Sequence, residues 1–319
     1  MKKIRLLALA GLFVLRAAPG GAGTLAENFS TDPAQKGWQV FGNTNLFQWN
    51  PTNHALDVTW DSSQTNSYFY HPLGATFTAA DSFCVIFDLQ LQDAAISQYG
   101  NQVAIGLLHF ADATSPDFNR ANGPFPNVFE FDYFPAFDYN GDSNPDTVDA
   151  TVKDAQAGYA GFYWLSDSWS LNPTNLYRVV LIHRADESRI TGAIYSGGKL
   201  LTSFPGINDY GPIDSFQFDT LSINSYSDDG FGDSILAHGS VSRLAFASPL
   251  PVGRVNSSSA GQLRFASDTN WLYTLEQSAD LQNWSPAAPA VLGNGTTLVM
   301  PATNPPADRA FYRIRADLP

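Results

Sequence analysis

The sequence predicts an all-β protein built around a two-sheet sandwich or jelly roll. After the N-terminal segment, stretches that alternate apolar and polar residues recur, and they are rich in aromatic and β-branched side chains. Clusters of Gly, Asn, Asp and Pro separate these stretches, whereas amphipathic helical periodicity is hard to find. Many strands over roughly 225 residues favour a sandwich over a small barrel.

The clearest predicted strand covers Asp81 to Gln92. Its odd-numbered residues from Phe83 to Leu91 are all apolar and most of its even-numbered residues are polar, so one face is expected to be buried. The other strands predicted in the larger part of the chain are Val103 to Phe110, Val128 to Phe134, Ala160 to Leu165, Leu176 to Arg184, Ile190 to Tyr195, Phe216 to Ser225 and Val241 to Ala247.

A domain boundary is predicted near residue 250, where Ser248-Pro249-Leu250-Pro251 begins a segment rich in Pro, Gly and Ser. We assign 24–248 to the sandwich domain, 249–261 to a linker and 262–319 to a small β-module. Four strands are predicted in the module, at Gln262 to Ala266, Trp271 to Gln277, Thr297 to Met300 and Ala310 to Arg315.

The N-terminus predicts export. A basic start, Met1 to Arg5, precedes an apolar run from Leu6 to Leu15 and then small residues, which is the pattern of a secretory signal peptide over residues 1–23. The run is too short to span a membrane, since that needs about 20 apolar residues. The mature protein is therefore expected in the periplasm or outside the cell.

Charge and cysteine content exclude several classes of function. The formal net charge is −13 and the pI is about 4.5, so nucleic acids and anionic membrane surfaces would repel the protein. The only cysteine, Cys84, lies inside a predicted strand and is expected to be a buried small apolar residue. A single cysteine permits no internal disulfide.

An acidic segment from Asp138 to Asp149 predicts a calcium site. Oxygen-bearing side chains at alternate positions of a twelve-residue loop let the backbone wrap a hard cation. Ser143 stands where an EF-hand loop has Gly, and the segment resembles instead the calcium loops of dockerin or thrombospondin type 3 repeats. The alternative is an Asx-rich surface turn that binds no metal. The predicted ligands are Asp138, Asn140, Asp142, Asn144, Asp146 and Asp149.

Two carboxylates lie just upstream, on the strand Val128 to Phe134. Glu130 and Asp132 are two residues apart and so share one face, opposite Phe129, Phe131 and Tyr133. Adjacent carboxylates on a sheet face are candidates for ligand binding and, if the protein is an enzyme, for catalysis.

This strand resembles the Glu-x-Asp strand of the concanavalin A-like lectin and glucanase superfamily. The resemblance implies a concanavalin A-like jelly roll with the two carboxylates on its concave sheet. In the glucanase branch a second Glu follows as the acid/base, but Pro135 and Ala136 occupy the corresponding positions here. In the lectin branch the Glu-x-Asp pair holds metal ions with nearby Asn, Asp and His, and the downstream spacing of this chain differs from that pattern.

Most of the mature chain also resembles a family of uncharacterised secreted bacterial proteins. The resemblance implies secretion and a sandwich with an appended β-module, and it implies no activity. It is carried by Trp60-Asp61-Ser62-Ser63, Glu130-Phe131-Asp132-Tyr133-Phe134-Pro135, Gly232 to Gly239, Asn270 to Glu276, Asp280 to Trp284 and Phe311 to Arg315.

Function is predicted as calcium-stabilised carbohydrate binding. Sugar rings stack on aromatic faces, and Trp164 and Trp169 are the candidate aromatic partners beside Glu130 and Asp132. One alternative is a polysaccharide hydrolase or lyase that uses Glu130 or Asp132 with a partner from a distant strand. The other alternative is a structural or adhesive component of the cell envelope. The predicted partner is a carbohydrate or cell-surface glycan.

Overall fold

The computed structural model describes residues 23–96, 103–120, 127–135, 147–154, 158–160, 171–185, 190–204, 215–227, 235–250, 256–258, 262–267, 271–281, 283–301 and 311–317. No helix in these ranges is long and apolar enough to cross a membrane. Two short 3-10 helices cover Pro33–Lys36 and Thr44–Leu46, and one α-helical turn, α1, covers Phe110–Ala113.

The strands of the larger part of the chain account for nearly all of its regular structure. They are β1 (Gly23–Glu27), β2 (Gln39–Phe41), β3 (Phe47–Asn50), β4 (Ala55–Asp61), β5 (Ser67–Thr78), β6 (Phe83–Ile96), β7 (Val103–Leu108), β8 (Val128–Phe134), β9 (Thr147–Asp154), β10 (Gly158–Ala160), β11 (Tyr177–His183), β12 (Ile190–Ser196), β13 (Lys199–Phe204), β14 (Gln217–Ser225) and β15 (Ile235–Ser248).

The C-terminal strands are shorter. They are β16 (Asn256–Ser258), β17 (Gln262–Ala266), β18 (Leu272–Ser278), β19 (Ser285–Pro286), β20 (Val291–Leu292), β21 (Thr297–Pro301) and β22 (Phe311–Asp317).

Two large antiparallel sheets form the body of the protein. The back sheet has the order β13-β12-β11-β6-β15-β4-β3, with β1 also paired to β15. The front sheet has the order β10-β9-β8-β7-β14-β5-β2. These two sheets confirm the predicted all-β class with a two-sheet sandwich.

The main core lies between the inner faces of the two sheets. The apolar residues that alternate along β6, such as Phe87 and Leu89, are buried there, as the sequence pattern predicts. Phe131 of β8 meets Phe87 across the interface with ring centroids 5.4 Å apart. In the described ranges the inner faces pack against each other, so a site on the front sheet would lie on its outer face or at one of its edges.

Predicted and observed strands agree closely in several places. The predicted bounds of Val128 to Phe134 and of Gln262 to Ala266 are those of β8 and β17. The strand predicted at Val241 to Ala247 is longer in the structure, since β15 begins at Ile235. The strand predicted at Ala160 to Leu165 lies outside the described residues beyond Ala160.

The C-terminal strands cover the outer face of the back sheet. Cys84, Ala245 and Ala247 of that face join one buried apolar cluster with Phe265 and Trp271 of the C-terminal segment. Burial raises the pKa of the Cys84 thiol to about 12, so at neutral pH it is a protonated apolar group, as predicted. The exact bounds of the two domains and of the linker stay predictions.

Candidate functional site

Strand β8 places Glu130 and Asp132 together on the outer face of the front sheet. Its other residues, including Phe129 and Phe131, point into the core between the sheets, so the period of two sends both carboxylates outward. Neither carboxylate reaches solvent. Ala113 and Phe118, from the chain between α1 and Arg120, pack on this face. The sequence pattern therefore located the face of these residues and not their depth.

Arg120 joins the two carboxylates. Its Nε lies 2.8 Å from Glu130 Oε1, and its Nη2 lies 2.6 Å from Asp132 Oδ2. All three side chains are buried. The planar guanidinium thus bridges neighbouring outward positions of one strand, which an ammonium group on a flexible stem would do less well.

The other oxygen of Glu130 accepts hydrogen bonds from strand β14 and the residue beyond it. The Tyr226 hydroxyl donates to Glu130 Oε2 at 2.7 Å, and Asn224 Nδ2 donates to the same oxygen at 3.1 Å. Burial and the Glu130 charge raise the pKa of the Tyr226 hydroxyl well above its ordinary value. The phenol therefore remains a hydrogen-bond donor over the physiological pH range.

Register explains why the cluster can form. Ser222 of β14 pairs with Gly106 of β7, Gly106 pairs with Glu130, and Glu130 pairs with Thr151 of β9, so these four positions form one row on the outer face. A Cβ on Gly106 would overlap the Phe129 carbonyl oxygen and lie 2.7 Å from Glu130 Cβ. Glycine is needed at this point because the two strands approach so closely.

Aromatic residues seal the cluster from above. Phe118 stacks on Tyr226 with ring centroids 6.0 Å apart and meets Tyr68 edge-on at 6.5 Å. The Tyr68 hydroxyl donates to the carbonyl oxygen of Ala113 at 2.9 Å, which ties α1 to the sheet. The carboxylates consequently lie in an environment that excludes water, where charge pairing matters most.

An aromatic surface lies beside this cover, at the β2 end of the front sheet. We call Phe41, Tyr70 and Phe110 the aromatic edge. Tyr70 stacks on Phe110 with centroids 4.3 Å apart, and Phe41 meets Phe110 edge-on at 6.1 Å. Phe41 is 36% exposed, and the other two rings are half-buried.

Polar groups border the aromatic edge. The Tyr70 hydroxyl donates to Gln39 Oε1 at 3.0 Å, in an exposed position. His109 lies next to Phe110, with Nδ1 2.9 Å from Asp112 Oδ2 and Nε2 3.7 Å from Asp219 Oδ2. Flat apolar rings beside amide, carboxylate and imidazole groups can bind a molecule that is apolar on its faces and hydroxylated at its rim.

The buried Tyr226 hydroxyl should make the stability of the protein depend on pH. The folded protein keeps the phenolic proton at a pH where the unfolded chain loses it, so the free energy of unfolding should fall as the pH rises above about 10. Tyr226→Phe keeps the ring and cannot titrate, so this component should vanish in the variant. Urea unfolding of both proteins between about pH 8 and 11 measures the difference. Parallel curves for the two proteins would contradict the prediction.

The remaining predicted site residues are not placed by the structure. Asp138, Asn140, Asp142, Asn144, Asp146, Trp164 and Trp169 lie outside the described residues. Asp149 lies in β9, where its backbone is the register partner of Asp132.

The sequence did not predict two groups of residues in this region. The first is Arg120, Asn224 and Tyr226, which contact the carboxylates, and the second is the aromatic edge. One signal was present, because Arg120 is the only Lys or Arg between Lys36 and Lys153 in a strongly acidic chain.

The Glu-x-Asp pair does not fit a metal ion. The oxygens that would face a cation, Glu130 Oε1 and Asp132 Oδ2, are engaged by the Arg120 guanidinium. Across the described part of the chain, no group of three or more His, Cys, Asp or Glu side chains is arranged to hold a metal. The predicted loop from Asp138 to Asp149 is a separate candidate, and calcium binding there stays a prediction.

Comparison with known proteins finds distant structural similarity only. No protein-family model and no curated protein matches the sequence. Among solved structures, peanut lectin with a nine-residue peptide matches 73% of this chain and all of its own, at 12% identity and a TM-score of 0.46. The Emp47p carbohydrate recognition domain matches at 11% identity, 72% and 97% coverage and a TM-score of 0.42.

A third similar structure is a mutant of alginate lyase Aly36B in complex with an alginate tetrasaccharide. It matches at 12% identity and a TM-score of 0.38, with 70% of this chain and 96% of that one covered.

Proposed function

We propose that the protein binds carbohydrate on the outer face of its front sheet, at the aromatic edge. The observation that carries this proposal is the cluster of Phe41, Tyr70 and Phe110, partly open to solvent and bordered by Gln39 and Asp112. Aromatic faces stack on the C–H surface of a sugar ring while neighbouring polar groups bind its hydroxyls.

The negative charge of the protein limits the kinds of glycan that it can bind. The chain carries a formal net charge of −13, and Asp112 and Asp219 lie next to Phe110. A uronic or sulfated polysaccharide would be repelled, because both surfaces are negative. A neutral polysaccharide is the ligand that this surface favours.

The burial and ion pairing of Glu130 and Asp132 favour a binding protein over a glycoside hydrolase. Glu130 and Asp132 share one guanidinium beneath Phe118, and both lack solvent exposure. A glycosidase needs two carboxylates that reach the scissile bond from opposite sides. The carboxylates in this cluster are therefore assigned a structural role, and sugar contact is assigned to the aromatic edge.

Replacing Phe41 tests the proposal. Phe41→Ala should weaken binding of a neutral polysaccharide roughly tenfold, about 1.4 kcal/mol, because a stacking surface is lost. Phe41→Leu, which keeps apolar volume without the ring face, should lose nearly as much. Leu200→Ala, an exposed site on the back sheet, serves as the matched control and should bind normally. Calorimetric titration against a panel of soluble neutral and acidic polysaccharides gives the affinities.

Three other outcomes decide between the proposal and its alternatives. Equal affinity of the wild-type protein and Phe41→Ala would remove the aromatic edge as the site. Release of reducing ends would establish the enzyme alternative. Absence of binding to every polysaccharide would favour the structural or adhesive role.

Export and calcium are finer parts of this proposal. Cleavage at the end of the predicted signal peptide, after Gly23, would leave Thr24 to Glu27 to pair with β15, so N-terminal sequencing of exported protein should begin near Thr24. A start beyond Leu25 would contradict this expectation.

Calcium binding at Asp138 to Asp149 should raise the Tm in millimolar calcium relative to EGTA, and Asp142→Asn should abolish the shift. An equal Tm in both conditions would contradict the calcium site.

A further inference from the structure

A buried pair of carboxylates requires positive charge close by. Glu130 and Asp132 lie on one face of β8, out of contact with solvent, and two negative charges in that position repel each other strongly. The nearest described positive charge is Arg120, which contacts both carboxylates.

We infer that Arg120 is a built-in counter-ion that takes the place of a bound metal ion at the Glu130 and Asp132 pair. The surroundings are those that a hard cation would use. Thr151 Oγ1, Ser222 Oγ and Asn224 Oδ1 are buried on the same face, and within the described ranges none has a hydrogen-bond partner. Carboxylate, hydroxyl and amide oxygens are the ligands of Ca²⁺ and Mn²⁺.

Using a side chain as the cation has a structural consequence that an ion would lack. Arg120 follows α1 in the chain, after Ala113 and Phe118, which pack against residues of the outer face of the front sheet. The two ion pairs hold Arg120 to β8, while the Tyr68 hydroxyl holds Ala113 seven residues earlier in the chain. One guanidinium therefore offsets one of the two negative charges and also holds the covering segment in place. Tyr226 and Asn224 stabilise Glu130 further by hydrogen bonds, and together these groups take the role that a divalent cation would have.

Metal dependence of the full-length protein tests this inference. All variants carry Asp142→Asn, so that the predicted calcium loop does not contribute. With Arg120 present, the urea midpoint should be the same in EDTA and in millimolar Mn²⁺. Arg120→Ala should lower the midpoint in EDTA, and Mn²⁺ should raise it again. That Mn²⁺ response should disappear when Glu130→Gln is added to Arg120→Ala.

A control variant and a second measurement complete the test. Arg120→Lys retains a cation and should stay indifferent to Mn²⁺. Should Arg120→Ala fail to fold, paramagnetic broadening by Mn²⁺ is read on the protein with Arg120 intact, where the Tyr226 resonances should be unaffected.

A Mn²⁺-dependent midpoint with Arg120 present that is lost in Glu130→Gln would overturn the inference. So would Mn²⁺ broadening of Tyr226, or a folded Arg120→Ala that ignores Mn²⁺.

Discussion

Replacing Arg120 with alanine is expected to lower the free energy of unfolding by about 3–5 kcal/mol. The substitution leaves Glu130 and Asp132 buried together without their cation, and the residue it removes also holds the segment above them. Urea unfolding followed by tryptophan fluorescence measures the loss.

Arg178 provides the matched control. It pairs with Asp88 through two hydrogen bonds of 2.7 and 2.8 Å, but its side chain is 45% exposed. Solvent screens such a pair, so Arg178→Ala should cost only about 0–1 kcal/mol. Equal losses at Arg120 and Arg178 would show that burial does not set the strength of the Arg120 contacts.

A combined variant separates the ion pairs from the packing. Arg120→Met with Glu130→Gln and Asp132→Asn removes every charge of the cluster at once. It should be less destabilised than Arg120→Ala alone, because no carboxylate is left unpaired. A loss equal to the sum of the three single substitutions would contradict the coupling.

Gly106→Ala is expected to be the second large effect, with a loss of about 1–3 kcal/mol or more. The added Cβ would meet the backbone of Phe129 and Glu130, which cannot move aside without parting β7 from β8. Parting these strands would also shift Glu130 away from Tyr226 and Asn224. Thermal unfolding gives the loss of stability, and the Tyr226 titration reports the shift of Glu130.

Gly23→Ala is the control for this substitution, with both variants made in the uncleaved chain that retains residues 1–23. A Cβ on Gly23 would have its nearest contact at 3.7 Å, an ordinary van der Waals distance to Phe77. Its Tm should change little. A Gly106→Ala protein as stable as Gly23→Ala would mean that the approach of β7 to β8 is looser than the structure shows.

The alternation of apolar and polar residues was enough to predict the strands in which it is regular. β8 and β17 were located to the residue because their alternation is uninterrupted and turn residues bound them. β5 was not predicted, since Pro72 and Gly74 interrupt it, and the register of its pairing with β14 shifts near that point. Pairing to two neighbouring strands outweighs the weak local preference there.

In the candidate site, too, some features follow from neighbouring residues and others depend on long-range contacts. The alternation along β8 was enough to predict that Glu130 and Asp132 share a face, because side-chain direction in a strand has a period of two. Nothing local indicates that Tyr226 donates a hydrogen bond to Glu130, which lies 96 residues earlier in the chain. Likewise the aromatic edge joins rings from β2, β5 and α1, which no single window of sequence contains.

The sequence by itself therefore determined the all-β class, the apolar inner faces and the shared face of the two carboxylates, since each depends on the spacing of neighbouring residues. Only the tertiary structure decided that these carboxylates are buried, that Arg120 pairs with both of them, and that Phe41, Tyr70 and Phe110 meet at one edge. Burial and charge pairing depend on strand register and on which segment crosses the sheet. Both are set by contacts between residues far apart in the chain.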